Sequence, residues 1–133
     1  RDVTIGSHVR LKAGTTVHAG ARLDDFVISS GDCLIGARVV LRYGAIVARG
    51  VEIGEGAYLA PRVMTIYSDH NGQPCPGIII GPWAFIGTGA VIGCGVRICK
   101  GAQVGALAYV NRDITEEGVY VGAPARKLQR YRG

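Results

Sequence analysis

The chain has 133 residues, a formal net charge of +5 at neutral pH and four cysteines. This length predicts a single domain over residues 1–133, and no run of about 18 apolar residues is present, so we expect no membrane insertion. The positive charge is concentrated at the C-terminus, but no nucleic-acid-binding motif accompanies it, so we expect no nucleic-acid partner.

The dominant feature of the sequence is a repeat of six residues that extends from Ile5 to Ile114 with one interruption. The first residue of each hexad is aliphatic, with Ser29 as the exception, and the fifth residue of the first block is small. A period of six is a multiple of two, so the aliphatic residues stay on one face of an extended chain, whereas a helix would distribute them around its surface. Short strands separated by bends are therefore predicted to stack as coils around an aliphatic interior.

Glycine accounts for 21 residues and recurs at the second and fourth positions of the hexads, where the bends fall. Because glycine adopts positive φ without steric cost, we interpret these residues as turn chemistry and not as flexible linkers. The predicted fold is therefore all-β.

The repeat is interrupted at about residues 66–79, and the second block restarts at Ile80 out of register with the first. The interrupting segment is polar and contains two prolines and two glycines, which predicts a loop extruded from the wall of the coils. Long loops that break a regular architecture are commonly functional.

His70 is the one histidine of this loop, and Asp69 and Asn71 flank it. An imidazole can remove a proton from a hydroxyl or an amine near neutral pH, so His70 is the candidate general base; the alternative is a surface histidine that caps its own turn. His8 and His18 fall on predicted corners and face outward, which predicts solvated or interface residues.

The cysteines do not form a pair with metal-ligand spacing. Cys33 falls at an inward fifth position and is predicted to be a small core residue. Cys75 lies in the loop, and Cys94 and Cys99 fall near corners. We expect all four to be free thiols of a cytoplasmic protein.

Four segments resemble the acetyl-CoA-dependent hexapeptide-repeat acetyltransferases of the sugar O- and N-acetyltransferase type. The hexads resemble the repeat of the left-handed parallel β-helix, with three hexads per coil, and Ser68-Asp69-His70 resembles the family's S/T-D-H segment. The other three matches, in order, are residues 80–87 to I-G-x-x-x-W-I-G, residues 104–114 to V-G-A-G-S-V-V-T-K-D-I, and residues 122–127 to G-N-P-A-K/R.

The resemblance implies a fold, an activity and a set of contacts. The fold is a hexapeptide-repeat prism with one extruded loop and a short basic C-terminal tail, assembled as a homotrimer with sites between subunits. The activity is transfer of an acetyl group from acetyl-CoA to a hydroxyl of a sugar-containing acceptor, with His70 as general base and no metal. The residues implied in coenzyme A binding are Gly105, Ala106, Ala108, Arg112, Arg126 and Lys127.

Four residues are candidates for acceptor contacts: Asp69, Asn71, Trp83 and Phe85. Trp83 is predicted to point outward from a corner, where it covers the acceptor or the adenine, or packs beneath the loop. The chain departs from the family pattern in three places: Phe85 replaces a Trp, Leu107-Ala108 replaces Gly-Ser, and Asn111-Arg112 replaces Thr-Lys with the charge kept.

Other functions compete with this interpretation. The same residues are compatible with N-acetylation of an amino sugar, and hexapeptide repeats also form non-catalytic assembly modules. Acyl-carrier-protein-dependent acyltransferases carry a helical C-terminal extension that this chain lacks after Lys127, and γ-class carbonic anhydrases use a pair of histidines five residues apart that is absent here. Arg130 and Arg132 either contact phosphate or are solvated.

Overall fold

The computed structural model describes residues 2–129, so Arg130 and Arg132 lie outside the described residues. Residues 2–129 contain 19 short strands and two isolated bridges. The strands are β1 (Thr4–Ile5), β2 (Arg10–Leu11), β3 (Thr16–Val17), β4 (Arg22–Leu23), β5 (Ile28–Ser29), β6 (Leu34–Ile35), β7 (Val40–Leu41), β8 (Ile46–Val47), β9 (Glu52–Ile53), β10 (Tyr58–Leu59), β11 (Met64–Thr65), β12 (Ile79–Ile80), β13 (Phe85–Ile86), β14 (Val91–Ile92), β15 (Arg97–Ile98), β16 (Gln103–Val104), β17 (Tyr109–Val110), β18 (Val119–Val121) and β19 (Arg126–Lys127).

Up to β17, strands that are three apart in chain order pair in parallel, and this pairing forms three sheets. Sheet A has the order β1-β4-β7-β10-β13-β16-β18-β19, sheet B the order β2-β5-β8-β11-β14-β17, and sheet C the order β3-β6-β9-β12-β15. Thr4 pairs with Arg22, which is 22 − 4 = 18 residues or three hexads later. The predicted left-handed parallel β-helix with three hexads per coil is therefore confirmed.

The interior of the prism contains the residues that the repeat placed there. The second residue of each two-residue strand of the coils points inward, so that Leu23, Leu41 and Leu59 stack in one fully buried column. Two inward positions are polar, and both are satisfied: Ser29 Oγ lies 2.7 Å from Thr15 Oγ1, and Thr65 Oγ1 donates to Ile46 O at 2.8 Å. Buried hydroxyls are tolerated when they are hydrogen-bonded in this way.

Three edges run along the prism where consecutive sheets meet, and we name them the A–B, B–C and C–A edges. The bends place a residue in the left-handed region, which is glycine at about half of the corners and a residue with a side chain at the others, among them Phe26 on the A–B edge and Trp83 on the C–A edge. Residues 2–129 include no helix with the length and apolar character needed to cross a membrane.

The interruption of the repeat is narrower than the sequence predicted. Ile66 still donates to Ile92 O at 3.1 Å, and Ile79 lies in β12. Ile78 is buried and accepts a hydrogen bond from Glu52 N, because it takes the inward fifth position of a hexad although it is not small. The excursion therefore comprises residues 67–77, which we call the His70 loop.

Candidate active site

The His70 loop leaves the prism at the B–C edge, between the corner at Arg49–Gly50 and the corner at Cys94–Gly95. A Cβ on Gly77 would lie 2.3 Å from Gly50 O, so only glycine fits where the loop rejoins the wall. Pro76 packs over Gly95 on the other side of the same junction. The loop base is thus fixed between two coils, while His70 itself is exposed.

Asp69 organises the turn that carries His70. Its Oδ1 accepts hydrogen bonds from the backbone N–H groups of Asn71 at 2.8 Å and Gln73 at 3.0 Å, and its own N–H donates to Gln73 O at 2.9 Å. This carboxylate is an Asx cap of the loop, which gives a structural role to a residue that the sequence suggested as an acceptor contact.

Two of the cysteines predicted as free thiols are paired, so that prediction is wrong for them. Cys75 and Cys94 form a disulfide with a Cα–Cα distance of 5.5 Å, which is within the normal range for a bridge. They meet because the loop returns to the wall one coil below the Cys94 corner. Cys33 and Cys99 are free thiols as predicted, and Cys33 is buried.

The basic tail folds back onto the prism as a hairpin. The strand β19 pairs antiparallel to β18, with Arg126 opposite Val121. The intervening turn is held by Tyr109, whose N–H donates to Gly122 O at 3.0 Å and whose carbonyl accepts from Ala125 N at 2.7 Å. This fold-back places the Arg126 guanidinium 3.3 Å from Asn111 Oδ1.

The hairpin and the last coil enclose a cleft of about 260 Å³ that brings together the three cationic side chains predicted to contact phosphate. We call it the phosphate cleft, and its principal lining residues are Arg112, Thr115, Glu116, Tyr120, Arg126 and Lys127. Lys127 Nζ lies 2.6 Å from Glu116 Oε1. This hydrogen bond lowers the pKa of Glu116 and raises the pKa of Lys127.

Among the lining residues that the sequence analysis did not predict, Glu116 is the one that forms an ion pair with a predicted cationic residue. The sequence shows only that an acidic residue lies 11 positions before Lys127. Nothing in the repeat indicates that the tail folds back over Glu116, so the ion pair was not predictable.

The corner at residues 105–108 lies on the A–B edge and does not line the phosphate cleft. Its backbone is partly committed to the wall: Gly105 N–H donates to Tyr120 O at 2.8 Å and Ala108 N–H to Gly105 O at 3.3 Å. Among the described residues no backbone partner accepts from the Ala106 N–H. Ala106 as a residue is exposed, and its amide nitrogen lies against Gly87 of the preceding coil, where an added Cβ would be 2.6 Å from it.

The two aromatic candidates lie away from the loop within one copy of the chain. Trp83 is on the C–A edge with its ring over Gly56, where an added Cβ would be 2.3 Å from ring atoms, and it is 54% exposed. Packing beneath the loop, one of the three predicted positions, is therefore wrong. Phe85 points outward from sheet A and stacks on Tyr58 with ring centroids 5.2 Å apart.

The other two histidines, His8 and His18, lie outside the His70 loop. His8 is on the A–B edge and stacks on Phe26 at 5.1 Å, and His18 is exposed. Within residues 2–129 no cluster of three or more His, Cys, Asp or Glu side chains is arranged to hold a metal ion.

The His70 loop and Arg112 both lie on the B–C edge. The strands β11, β14 and β17 are successive neighbours in sheet B, so the loop that follows β11 and Arg112 that follows β17 are two coils apart along the edge. At ~4.8 Å per coil this is about 10 Å. The structure therefore places the His70 loop and Arg112, which lines the phosphate cleft, on one edge, with the Cys94 corner between them.

Comparisons with known proteins agree with this fold. No family model matches the chain. It is 32% identical over 131 residues to bifunctional protein GlmU of Alkalilimnicola ehrlichii, covering 96% of this chain and 27% of that protein. It is 29% identical to GlmU of Thermotoga maritima, covering 91% of this chain and 26% of that protein. The chain thus spans about a quarter of the length of these relatives.

Solved structures with the same fold include three that contain coenzyme A or acetyl coenzyme A. GDP-perosamine N-acetyl transferase from Caulobacter crescentus, in complex with CoA and GDP-perosamine, has a TM-score of 0.83 at 23% identity over 96% of this chain and 58% of that chain. The acetyltransferase domain of PglB from Neisseria gonorrhoeae, with acetyl coenzyme A, has a TM-score of 0.85 at 19% identity over 95% and 57%.

The third is AntD from Bacillus cereus, an N-acyltransferase in complex with dTDP-4-amino-4,6-dideoxyglucose and coenzyme A. It has a TM-score of 0.82 at 23% identity over 97% of this chain and 84% of that chain. Together the relatives confirm the resemblance to hexapeptide-repeat proteins that the sequence motifs predicted.

Proposed function

We propose that the chain is an acetyltransferase domain that moves an acetyl group from acetyl-CoA to a sugar-containing acceptor. The observation that carries the proposal is the convergence of Arg112, Arg126 and Lys127 in one cleft, with Arg112 on the edge that also bears His70. Guanidinium and ammonium groups suit phosphate oxygens, and arginine binds two of them at once. The names of the relatives, which include sugar N-acetyltransferases, support the same class.

The chemistry assigned to His70 is general-base catalysis. Its imidazole takes the proton of the acceptor hydroxyl as the oxygen attacks the thioester carbonyl, and it returns that proton to the departing thiolate. General-base assistance of this kind contributes about 10²–10⁴ in rate. A backbone N–H near the coil stabilises the oxyanion. We assign no covalent acyl-enzyme, because no nucleophile with a paired base is described among residues 2–129.

Amine acetylation is the second candidate. It is favoured by AntD and the GDP-perosamine enzyme, whose names specify N-acyl transfer and whose complexes contain nucleotide-linked sugars. The geometry of His70 serves an amine and a hydroxyl equally, since both nucleophiles must lose a proton.

A homotrimer is part of the proposal, with His70 and the coenzyme A groove supplied by different subunits. It is supported by the outward residues of sheet B, which are apolar from the second coil upward. We call this row the sheet B strip: Ile28, Ile46, Met64, Val91 and Tyr109. Met64 and Tyr109 are exposed and the other three residues are half-buried; a surface row that is apolar along its length favours an interface. The other outward rows are mixed; sheet C, for example, presents Thr16, Leu34 and Glu52.

A cytoplasmic location also belongs to the proposal. The Cys75–Cys94 disulfide is compatible with it if the bond is reversible, because disulfides of cytosolic proteins are typically transient redox elements.

The test is acetyl-CoA consumption, followed as released thiol, against a panel of hydroxyl sugars, amino sugars and their nucleotide-linked forms. Wild type, His70→Ala and the matched variant His18→Ala are assayed at the same protein concentration. We expect acceptor-dependent thiol release that is lost only in His70→Ala, and the panel then decides between hydroxyl and amine. No release with any acceptor, and no acetyl-CoA binding by calorimetry, would instead favour a non-catalytic assembly module.

A further inference from the structure

The His70 loop has one specific connection to the wall of the prism. The hydrogen bonds described for residues 67–77 all stay inside the loop: Asp69 caps the turn, and Cys75 N–H donates to Tyr67 O at 2.8 Å to join the two arms. None of the described hydrogen bonds or ion pairs links these residues to a coil. The covalent bond between Cys75 and Cys94 is the exception.

The wall side of this bond is rigid. Cys94 lies in a B–C corner between Gly93 and Gly95, and the neighbouring Val96 is buried and donates to Gly93 O at 3.3 Å. The loop side is five residues from His70 and belongs to the arm that the Tyr67 contact holds. A continuous set of fixed connections therefore extends from the corner through Cys75 to the turn that carries the imidazole.

The bond is also reachable by a thiol. Cys94 is exposed and Cys75 is half-buried, whereas the free thiol of Cys33 is buried in the core. An exposed disulfide is open to attack by a thiolate, which is the first step of exchange.

We propose that the Cys75–Cys94 disulfide is a positioning element of the active site that sets the place of His70 and makes the transfer redox-dependent. The proposal rests on the acetyltransferase function above. In the oxidised protein the loop holds the imidazole against the acceptor site; in the reduced protein the loop keeps its two ends and the packing of Pro76 and Gly77 at its base, but the arm that carries His70 loses its covalent connection to the wall.

The redox step is a two-electron exchange. A dithiol attacks the disulfide, forms a mixed disulfide and closes on itself, which leaves two protein thiols and one oxidised dithiol. In the reverse direction glutathione disulfide takes two electrons from the two thiols, which lose two protons in total, and two molecules of glutathione are formed. No other reactant is needed.

The primary experiment compares oxidised protein with protein treated with dithiothreitol, by hydrogen exchange and by kinetics. Alkylation and intact mass establish the redox state first. We expect faster exchange of the amides that the loop protects internally, at Asp69, Asn71, Gly72, Gln73 and Cys75, with no change in the strands β11 and β12. The kcat should fall about 10–100-fold, the scale expected when a catalytic group is displaced by about 1 Å. The KM for acetyl-CoA should not change, since the phosphate cleft is formed by other elements.

Variants separate positioning from general stability. Cys75→Ser with Cys94→Ser should have the kcat of reduced wild type and be insensitive to dithiothreitol. Cys99→Ser, which removes a free thiol, should keep the full sensitivity. Glutathione disulfide should restore kcat in reduced wild type but not in the double variant. Thermal unfolding midpoints above the assay temperature in both redox states would show that the loss of kcat does not come from unfolding.

Each alternative outcome overturns the proposal. Four alkylated cysteines in denatured protein, after treatment with glutathione disulfide, would mean that the bond does not form. Unchanged loop exchange after verified reduction would mean that the bond does not hold the loop, and unchanged kcat with faster exchange would mean that holding the loop does not position His70. Because exchange is measured without substrate, a protein with no acetyl transfer in either state would count against the proposed function, while the tether is still decided by exchange.

Discussion

Lys127 Nζ donates to Glu116 Oε1 at 2.6 Å inside the cleft that we assign to the phosphates of coenzyme A. The pKa of Glu116 is lowered and that of Lys127 is raised by this hydrogen bond. The stabilisation is thus complete between the ordinary values of 4.5 for the carboxyl and 10.5 for the ammonium. It is lost as the pH falls through the lowered pKa of Glu116 or rises through the raised pKa of Lys127. At neutral pH, Glu116 therefore competes with a bound phosphate for Lys127.

Replacing Glu116 by Gln should tighten acetyl-CoA binding. The substitution removes the competing negative charge and leaves Lys127 available, so the dissociation constant should fall by up to about fivefold, the range expected for an exposed pair. Calorimetry at low and high salt measures the change, and the gain should shrink with salt because exposed charges are screened. Glu52→Gln, the same charge change on the outer face of sheet C, is the control. Weaker binding in Glu116→Gln would show that the carboxylate supports the ligand instead.

Removing the guanidinium of Arg126 should weaken the binding of the acetyl donor only through the phosphate groups of that donor. We expect Arg126→Ala, and separately Arg112→Ala, to raise the KM for acetyl-CoA about tenfold, in line with charge-assisted hydrogen bonds. The KM for S-acetylpantetheine, which has no phosphate groups, should not change. Lys12→Ala on the first coil serves as the matched charge control. An equal loss with both donors would place Arg126 away from the phosphates.

The fold was predictable because one physical rule is repeated in every hexad. An aliphatic residue at nearly every first position and a glycine at many bends determine strand, turn and burial together, and the tertiary structure adds only the stacking. The loop was predictable for the opposite reason, since it breaks the rule. Its end at Gly77 was not, because Ile78 occupies an inward position where the repeat elsewhere has a smaller residue.

Contacts between distant segments were not predictable from the hexads. The Cys75–Cys94 bond depends on where the loop returns relative to the next corner, which the residue spacing of 19 does not reveal inside an irregular segment. The fold-back of the tail depends on the two backbone hydrogen bonds between Tyr109 and the turn at residues 122–125. The phosphate cleft exists only after these hydrogen bonds form. Arg126 and Lys127 were assigned by resemblance, and their ion-pair partner Glu116 was missed.

Asp69 should act through the backbone of the loop and not through its charge. Asp69→Ala removes both hydrogen bonds to Asn71 and Gln73, so we expect about a tenfold loss of kcat as the turn loosens. Asp69→Asn retains an oxygen that can accept from both N–H groups, and it should keep most of the activity with an unchanged KM for the acceptor. Steady-state kinetics on the two variants decides the matter. A large loss in Asp69→Asn would assign the carboxylate charge a direct role in catalysis or acceptor binding.

The packing of the Trp83 ring should require the absence of a side chain at Gly56. An Ala Cβ there would lie 2.3 Å from the indole ring, and Gly56 has φ of +69°. The backbone conformation alone costs about 1–2 kcal/mol for an L-residue, and displacing the ring adds to it. Denaturant unfolding of Gly56→Ala, Trp83→Ala and the double variant measures the coupling. We expect Gly56→Ala to be less destabilising in the Trp83→Ala background. Strict additivity would mean that the ring and the glycine do not interact.

Charge on the sheet B strip should disrupt the assembly while leaving the coil intact. Met64 on sheet B and Leu34 on sheet C are matched probes, because both point outward from two-residue strands and are 42% and 41% exposed. Met64→Glu should convert the proposed homotrimer to monomer, because a carboxylate cannot be buried in an apolar contact without a partner, and Leu34→Glu should leave the proposed homotrimer unchanged. Light scattering after size exclusion measures the mass, and circular dichroism verifies the fold. Acetyl transfer should be lost with the trimer, since His70 and the coenzyme A groove are proposed to come from different subunits. Full activity in monomeric Met64→Glu would place the complete site within one chain, where the B–C edge aligns the His70 loop and Arg112.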